Sequence, residues 1–513
     1  MKKAFNCLPL LALLLAVPVF AAGQSSAPGM QAKTSAAPIP KEEKVVTQHS
    51  VTINGNTIRY TATAGTLLLR NDKGEPDASV FYVAYTQDGV KDLSHRPLTF
   101  LYNGGPGSSS IWLHMGAFGP MRIVVSNAQP TPPPPYGIVP NQYSLLDKSD
   151  LVFIDAIGTG YSRVVGKGTD KMFWGVDQDV ASFGQFIERY LTVNNRWNSP
   201  KYLLGESYGT TRSAYLADWL QQNGIALNGV ILQSTILNYG DTFPGTDLEY
   251  ITYLPSYAAI AWYHNKLPNK PADLSAFLAQ VRGFARGEYA DALFQGSSLP
   301  QSQYDDVLAK LHQYTGLSEQ YLKNANLRVS PPRFRAQLLR DEDRTMGRYD
   351  ARYEGINMDN AEEYPDYDAS DSSIGPAFTA AWNWYMTNEL KYPTTETYRV
   401  TYYKIIREWD WKHRLPGGGQ FFTPPLPDVA ANLGDAMRKN PHLKVFSANG
   451  WFDLATPFFK TEYDLDQLNL PPDIYKNIQF YYYPSGHMLY LSVPVLEQYK
   501  HDLAKFSDAT ENH

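Results

Sequence analysis

Between Val45 and Tyr85 apolar and polar residues alternate, as in Ser50-Val51-Thr52-Ile53, and lead into the run Val80-Phe81-Tyr82-Val83-Ala84-Tyr85. A period of two sends successive side chains to opposite faces of a pleated strand. Turn signals at Asn54-Gly55 and Asp72-Lys73-Gly74 divide the segment, so it predicts antiparallel hairpins. Further along, the pattern changes to short continuous apolar runs at residues 98–102, 151–154, 202–204 and 230–232, each followed by a loop containing glycine. Between the second and third runs Val176, Val180, Phe183, Ile187 and Tyr190 recur at helical spacing. Strands buried on both faces and alternating with amphipathic helices predict a mostly parallel α/β sheet. From residue 243 to 420 such strands are missing, and Leu274, Phe277, Leu278, Val281 and Phe284 mark one helix of a mainly helical insertion. The sheet pattern returns at residues 443–447 and 478–483, and a closing helix follows Val493.

The ends and the composition narrow the setting. Met1-Lys2-Lys3, the apolar run 8–20 and Ala21-Ala22 read as a secretory signal peptide over residues 1–22. A Ser-, Ala- and Pro-rich flexible linker is expected over 23–43, followed by a first core part (44–242), the insertion or lid (243–420) and a second core part (421–513). The single cysteine, Cys7, lies in the leader. The exported chain would therefore have no disulfide, no catalytic thiol and no thiolate metal site, which suits a periplasmic or secreted bacterial protein. A net charge of -6 over 513 residues, with no basic concentration, argues against nucleic acid. No later apolar run is long enough to span a bilayer, so no membrane association is expected after leader cleavage. Oligomeric state is not encoded legibly.

The candidate chemistry begins at Gly205-Glu206-Ser207-Tyr208-Gly209, a Gly-x-Ser-x-Gly sequence between a predicted strand and a predicted helix. That context suits the strained elbow carrying the nucleophile of an α/β-hydrolase fold, with Ser207 as nucleophile. A serine hydroxyl needs a base to take its proton and a carboxylate to orient that base, in the chain order Ser, acid, His. Asp453 and His487 each follow a predicted strand and fill those roles; Asp464 and Asp466 are the competing acids. The loop Asn103-Gly104-Gly105-Pro106-Gly107-Ser108-Ser109 frees backbone amides, so the amides of Gly105 and Tyr208 are expected to form the oxyanion hole. The same loop lacks the Lys-Ser/Thr ending of a phosphate-binding loop. No cofactor or metal is called for.

Taken with Gly158-Thr159-Gly160-Tyr161-Ser162, the Asn449-Gly450-x-x-Asp453 context and Gly486-His487, these motifs resemble the serine carboxypeptidase family. The resemblance implies removal of C-terminal residues from peptides or proteins through an acyl-enzyme, with Asn103 and Glu206 binding the substrate carboxylate. A protonated Glu206 would donate to that carboxylate, from which acidic activity is expected. An esterase or acyltransferase using the same triad is the alternative. The family commonly has a second glutamate where this sequence has Ala117, and His114 is the nearby residue expected to compensate.

Overall fold

A computed structural model describes residues 36–511 except 242, 244 and 418–422. The predicted leader and the first part of the predicted linker lie outside the described residues. The last linker residues are tied to the fold: Thr66 N donates to the Glu43 carbonyl at 2.9 Å, and Glu42 pairs with Arg189 at 2.6 Å.

The central sheet starts with three antiparallel strands, β1 (Lys44–Ile53), β2 (Asn56–Arg70) and β3 (Pro76–Gln87). It continues through β4 (Leu98–Tyr102), β5 (Asp150–Ile154), β6 (Lys201–Glu206), β7 (Gly229–Gln233), β8 (Lys444–Gly450) and β9 (Ile478–Tyr483). In space the order is β1-β2-β3-β5-β4-β6-β7-β8-β9, and a two-residue strand at Arg163–Val164 also pairs with β3. β3 meets β5 antiparallel, and every neighbour from β5 onward is parallel. Parallel strands need crossovers, and helices α1 (Val176–Val193) and α2 (Tyr208–Gln222) supply two of them.

The period of two decides which face each strand residue covers. In β5, Leu151 and Phe153 pack on one face of the sheet while Val152 and Ile154 pack on the other, against α1 residues Val180, Phe183 and Ile187. Both faces are covered, which is why these strands read as continuous apolar runs.

Among the described residues, the segment between β7 and β8 adds no strand to this sheet. It supplies α3 (Asp247–Tyr263), α4 (Leu274–Phe284), α5 (Gln301–Thr315) and α6 (Ala369–Asn388), with several shorter helices. Phe277, Val281 and Leu311 from these helices form a third core with Phe452, Leu454 and Phe458, which follow β8. α6 packs differently, putting Phe378, Trp382 and Tyr385 into the core on the Phe153 face. A short hairpin pairs Thr345–Met346 with Glu354–Gly355, and its tip carries Arg348 and Tyr349. α7 (Ala430–Lys439) packs against α2, and α8 (Val493–Glu511) closes the chain. Among the described residues no helix is long and apolar enough to cross a membrane.

Candidate active site

Four parallel strands deliver the candidate residues from their C-terminal ends: β4 leads to Asn103, β6 to Ser207, β8 to Asp453 and β9 to His487. Open α/β sheets assemble sites at this edge.

Ser207 sits between β6 and α2 with φ 61° and ψ -130°, a conformation unfavourable for a side-chain-bearing residue. Two backbone bonds hold it: Ser207 N donates to the Gln233 carbonyl at 3.0 Å, and Thr210 N donates to the Ser207 carbonyl at 2.8 Å. The elbow requires glycine before it, because a Cβ on Gly205 would run into the Gly209 carbonyl. Gly104 packs equally closely against the amide of Tyr208, so the glycine-rich loop lies directly over the first turn of α2. The amides at the start of a helix have no intrahelical acceptor and carry its positive dipole end.

His487 and Asp453 are buried together, with His487 Nδ1 2.7 Å from Asp453 Oδ2. Asp453 also accepts from the Thr456 hydroxyl at 2.6 Å and from the backbone amides of Ala455 at 2.7 Å and Thr456 at 3.1 Å. His487 N donates to the Tyr349 carbonyl at 2.6 Å, and the Ser234 hydroxyl donates to the His487 carbonyl at 2.6 Å. His487 is thus held at its ring by Asp453 and at both backbone groups by Tyr349 and Ser234. Burial opposes its protonation, but the Asp453 carboxylate and its hydrogen bond, with Glu206 adding, outweigh burial and hold its pKa above the usual value. The competing acids are engaged elsewhere: Asp464 pairs with Lys460, and Asp466 accepts from the Tyr475 hydroxyl.

Ser207 and His487 line one cavity of about 530 Å³ together with Asn103, Gly105, Glu206, Arg348, Tyr349 and Met488. Glu206 is buried below the elbow and accepts from Gln233 Nε2 at 2.8 Å. Burial pushes its pKa up to about 7, while the charge of His487 and the nearby polar side chains of Tyr490 and Asn103 pull it back and Asp453 adds to the rise. Asn103 Oδ1 accepts from Leu113 N at 3.0 Å, so what its side chain can still offer is the amide NH2.

One expectation fails. His114 is not among the residues lining the cavity; its Nε2 is 2.5 Å from the Tyr85 hydroxyl and its ring stacks on Phe153 at 4.1 Å. Burial lowers its pKa to about 3, so it is a neutral core histidine and does not compensate for Ala117. Tyr490 instead packs against Gly116 and brings its hydroxyl beside Glu206, though without a well-formed hydrogen bond.

Two further residues carry no motif. Arg212, wholly buried in α2, donates to the Asn103 carbonyl at 2.8 Å and pairs with Asp179 at 2.6 Å, fixing the base of the glycine-rich loop. Arg348 reaches the cavity from the insertion. A buried cation facing a carboxylate 33 residues away has no local sequence signal.

Comparison with known proteins places the chain by family and fold. The pheromone-processing carboxypeptidase KEX1 of Yarrowia lipolytica is 28% identical over 172 residues, 33% of this chain and 26% of that protein. Its counterpart in Candida albicans is 27% identical over 199 residues, 37% of this chain and 26% of that protein. The chain therefore spans about a quarter of the length of these relatives. The crystal structure of a prohormone-processing carboxypeptidase from Saccharomyces cerevisiae superposes with a TM-score of 0.54 at 16% identity, covering 88% of this chain and 91% of that one, which shows the α/β-hydrolase fold. The family model described as serine carboxypeptidase matches residues 59–351, more than half of the sequence. The chain belongs to the serine carboxypeptidase family.

Proposed function

We propose that the protein is a serine exopeptidase that releases C-terminal residues from peptides through an acyl-enzyme on Ser207. The observation that carries this reading is the buried His487–Asp453 pair opening onto the same cavity as Ser207, Glu206 and Asn103. In this mechanism neutral His487 takes the Ser207 proton as Oγ attacks the scissile carbonyl, then gives that proton to the departing amine. Asp453 holds Nδ1–H and stabilises the imidazolium. The amides of Gly105 and Tyr208 receive the developing oxyanion at the start of α2. Water then attacks the acyl-enzyme with His487 again as base.

Exopeptidase specificity would come from Asn103 and from Glu206, which carries a proton below about pH 7 and donates it to the substrate carboxylate. Ala117 removes one donor of the family's usual network, and this favours keeping the esterase or acyltransferase reading as the rival. Incubation with a mixed peptide set, half carrying C-terminal amides, separates the two. The exopeptidase reading expects single residues lost from free C-termini only; turnover of aryl esters without trimming would overturn it. The leader-like first 22 residues and the absence of cysteine beyond Cys7 support export, and we read the protein as a periplasmic or secreted enzyme of bacterial type. N-terminal sequencing of material recovered from outside the cytoplasm, starting near residue 23, checks this.

A further inference from the structure

Arg348 is the one lysine or arginine among the described residues lining the cavity of Ser207 and His487. Its backbone is fixed on every side. Arg348 N and Tyr349 N donate to the two oxygens of Asp368 at 2.9 and 3.3 Å, Leu454 N donates to the Arg348 carbonyl at 3.1 Å, and His487 N donates to the Tyr349 carbonyl. The hairpin tip is thereby bonded to the loops that carry both Asp453 and His487.

The guanidinium is treated differently. Among the described residues it enters no hydrogen bond or ion pair, and it lies over the ring of Tyr349, 5.5 Å from its centre. Protein crowds around it, yet the side chain stays open to solvent through the cleft. Asp368, the adjacent acid, is occupied: besides the two amides above, its Oδ1 accepts from Ser370 N at 3.0 Å as the cap of α6. Asp371 lines the same cavity, and burial followed by the charge of Asp368 holds its pKa above the ordinary carboxylate range. Five N–H donors in a planar fork thus face a peptide-sized cavity without an acceptor.

The cavity also lacks something that Arg348 supplies. A protonated Glu206 donates one hydrogen and Asn103 only its amide, and neither cancels the charge of a bound carboxylate. His487 must be neutral to act as base. We propose that Arg348 receives a carboxylate of the peptide substrate and is a specificity-determining residue of this site, an assignment that rests on the exopeptidase reading above. The carboxylate has two sources: the α-carboxylate of the C-terminal residue, or the side chain of an aspartate or glutamate at the cleaved end.

The test compares wild type, Arg348→Gln and Arg348→Lys on blocked dipeptides ending in Gln, Glu or Gln-amide, and on an aryl ester lacking any carboxylate. A hydrogen bond to a charged group predicts that Arg348→Gln lowers the kcat/KM ratio of free-acid peptide to ester about tenfold to a hundredfold, mainly through KM, with partial recovery in Arg348→Lys. An equal loss on Gln and Glu peptides assigns the α-carboxylate; a loss confined to the Glu peptide assigns the side chain. An unchanged ratio, or equal losses on peptide and ester, overturns the assignment. A wild-type protein that hydrolyses the ester but no peptide overturns the exopeptidase reading itself and takes this assignment with it.

Discussion

Replacing Glu206 by glutamine removes a titration that the fold forces to an unusual pH. In the native protein burial raises its pKa from 4.5 to about 7, whereas the unfolded chain keeps the ordinary value. Between those two values the native state holds one proton that the unfolded state has released. The neutral carboxyl therefore contributes its full stability below pH 4.5, and this is lost as the pH rises through 7, at about 1.4 kcal/mol per unit. The whole loss is about 3 kcal/mol, because Glu206 is only 2% exposed and water screens little of it. Glutamine keeps the size and cannot ionise. The stability of wild type relative to Glu206→Gln should therefore fall by about 3 kcal/mol between pH 4 and pH 8.5, or roughly 3 °C in relative Tm for a chain of 513 residues. Thermal unfolding of both proteins at the two pH values reads this difference. The kinetics should follow the same proton: kcat/KM on a free C-terminus should decline in wild type with a midpoint near pH 7, and Glu206→Gln should lose that limb. A stability difference that does not change with pH, or a variant that keeps the limb, would refute the claim that Glu206 titrates near neutrality.

Three other outcomes follow from the site. On the acid side activity should fall as His487 becomes protonated, and the limb should lie above the ordinary histidine range, because the Asp453 carboxylate and its hydrogen bond raise the pKa of His487 against the opposing effect of burial; the pH profile of kcat/KM for the aryl ester measures this. Asp453→Asn should leave the fold intact and lower kcat about ten-thousandfold, since an amide favours the wrong imidazole tautomer; stopped assays with circular dichroism as a fold control check both halves. Asp179→Asn should cost about 3 to 5 kcal/mol in chemical denaturation, because Arg212 would be left buried without its partner.

The sheet was legible because its residues obey one rule at a time. β4 and β5 are buried on both faces and read as unbroken apolar runs, while β1 has one polar face and reads as alternation. α1 carries its apolar stripe at helical spacing. The convergence of Asp453 on His487 could be anticipated since each lies just past a strand, and strand ends in such a sheet share one edge. His114 follows the glycine-rich loop closely in the chain, but nearness along the chain does not bring its ring to the cavity. The turn at Leu113–Phe118 points the imidazole into the core, against Phe153 and Tyr85. Arg212 and Arg348 were invisible for a related reason. Each acts on residues that only the tertiary fold brings close, and an arginine in a helix or a hairpin has no pattern that distinguishes it from a solvated one.

The most direct measurement is covalent labelling by a fluorophosphonate, located by peptide mass spectrometry. The reagent needs an activated serine beside an oxyanion site and nothing from the peptide-binding groups. A single adduct on Ser207, formed at least a thousandfold more slowly in His487→Ala on the scale of triad knockouts, is the predicted result. An unlabelled Ser207 in a protein that still hydrolyses esters, or an adduct on another serine that abolishes that hydrolysis, would contradict the account.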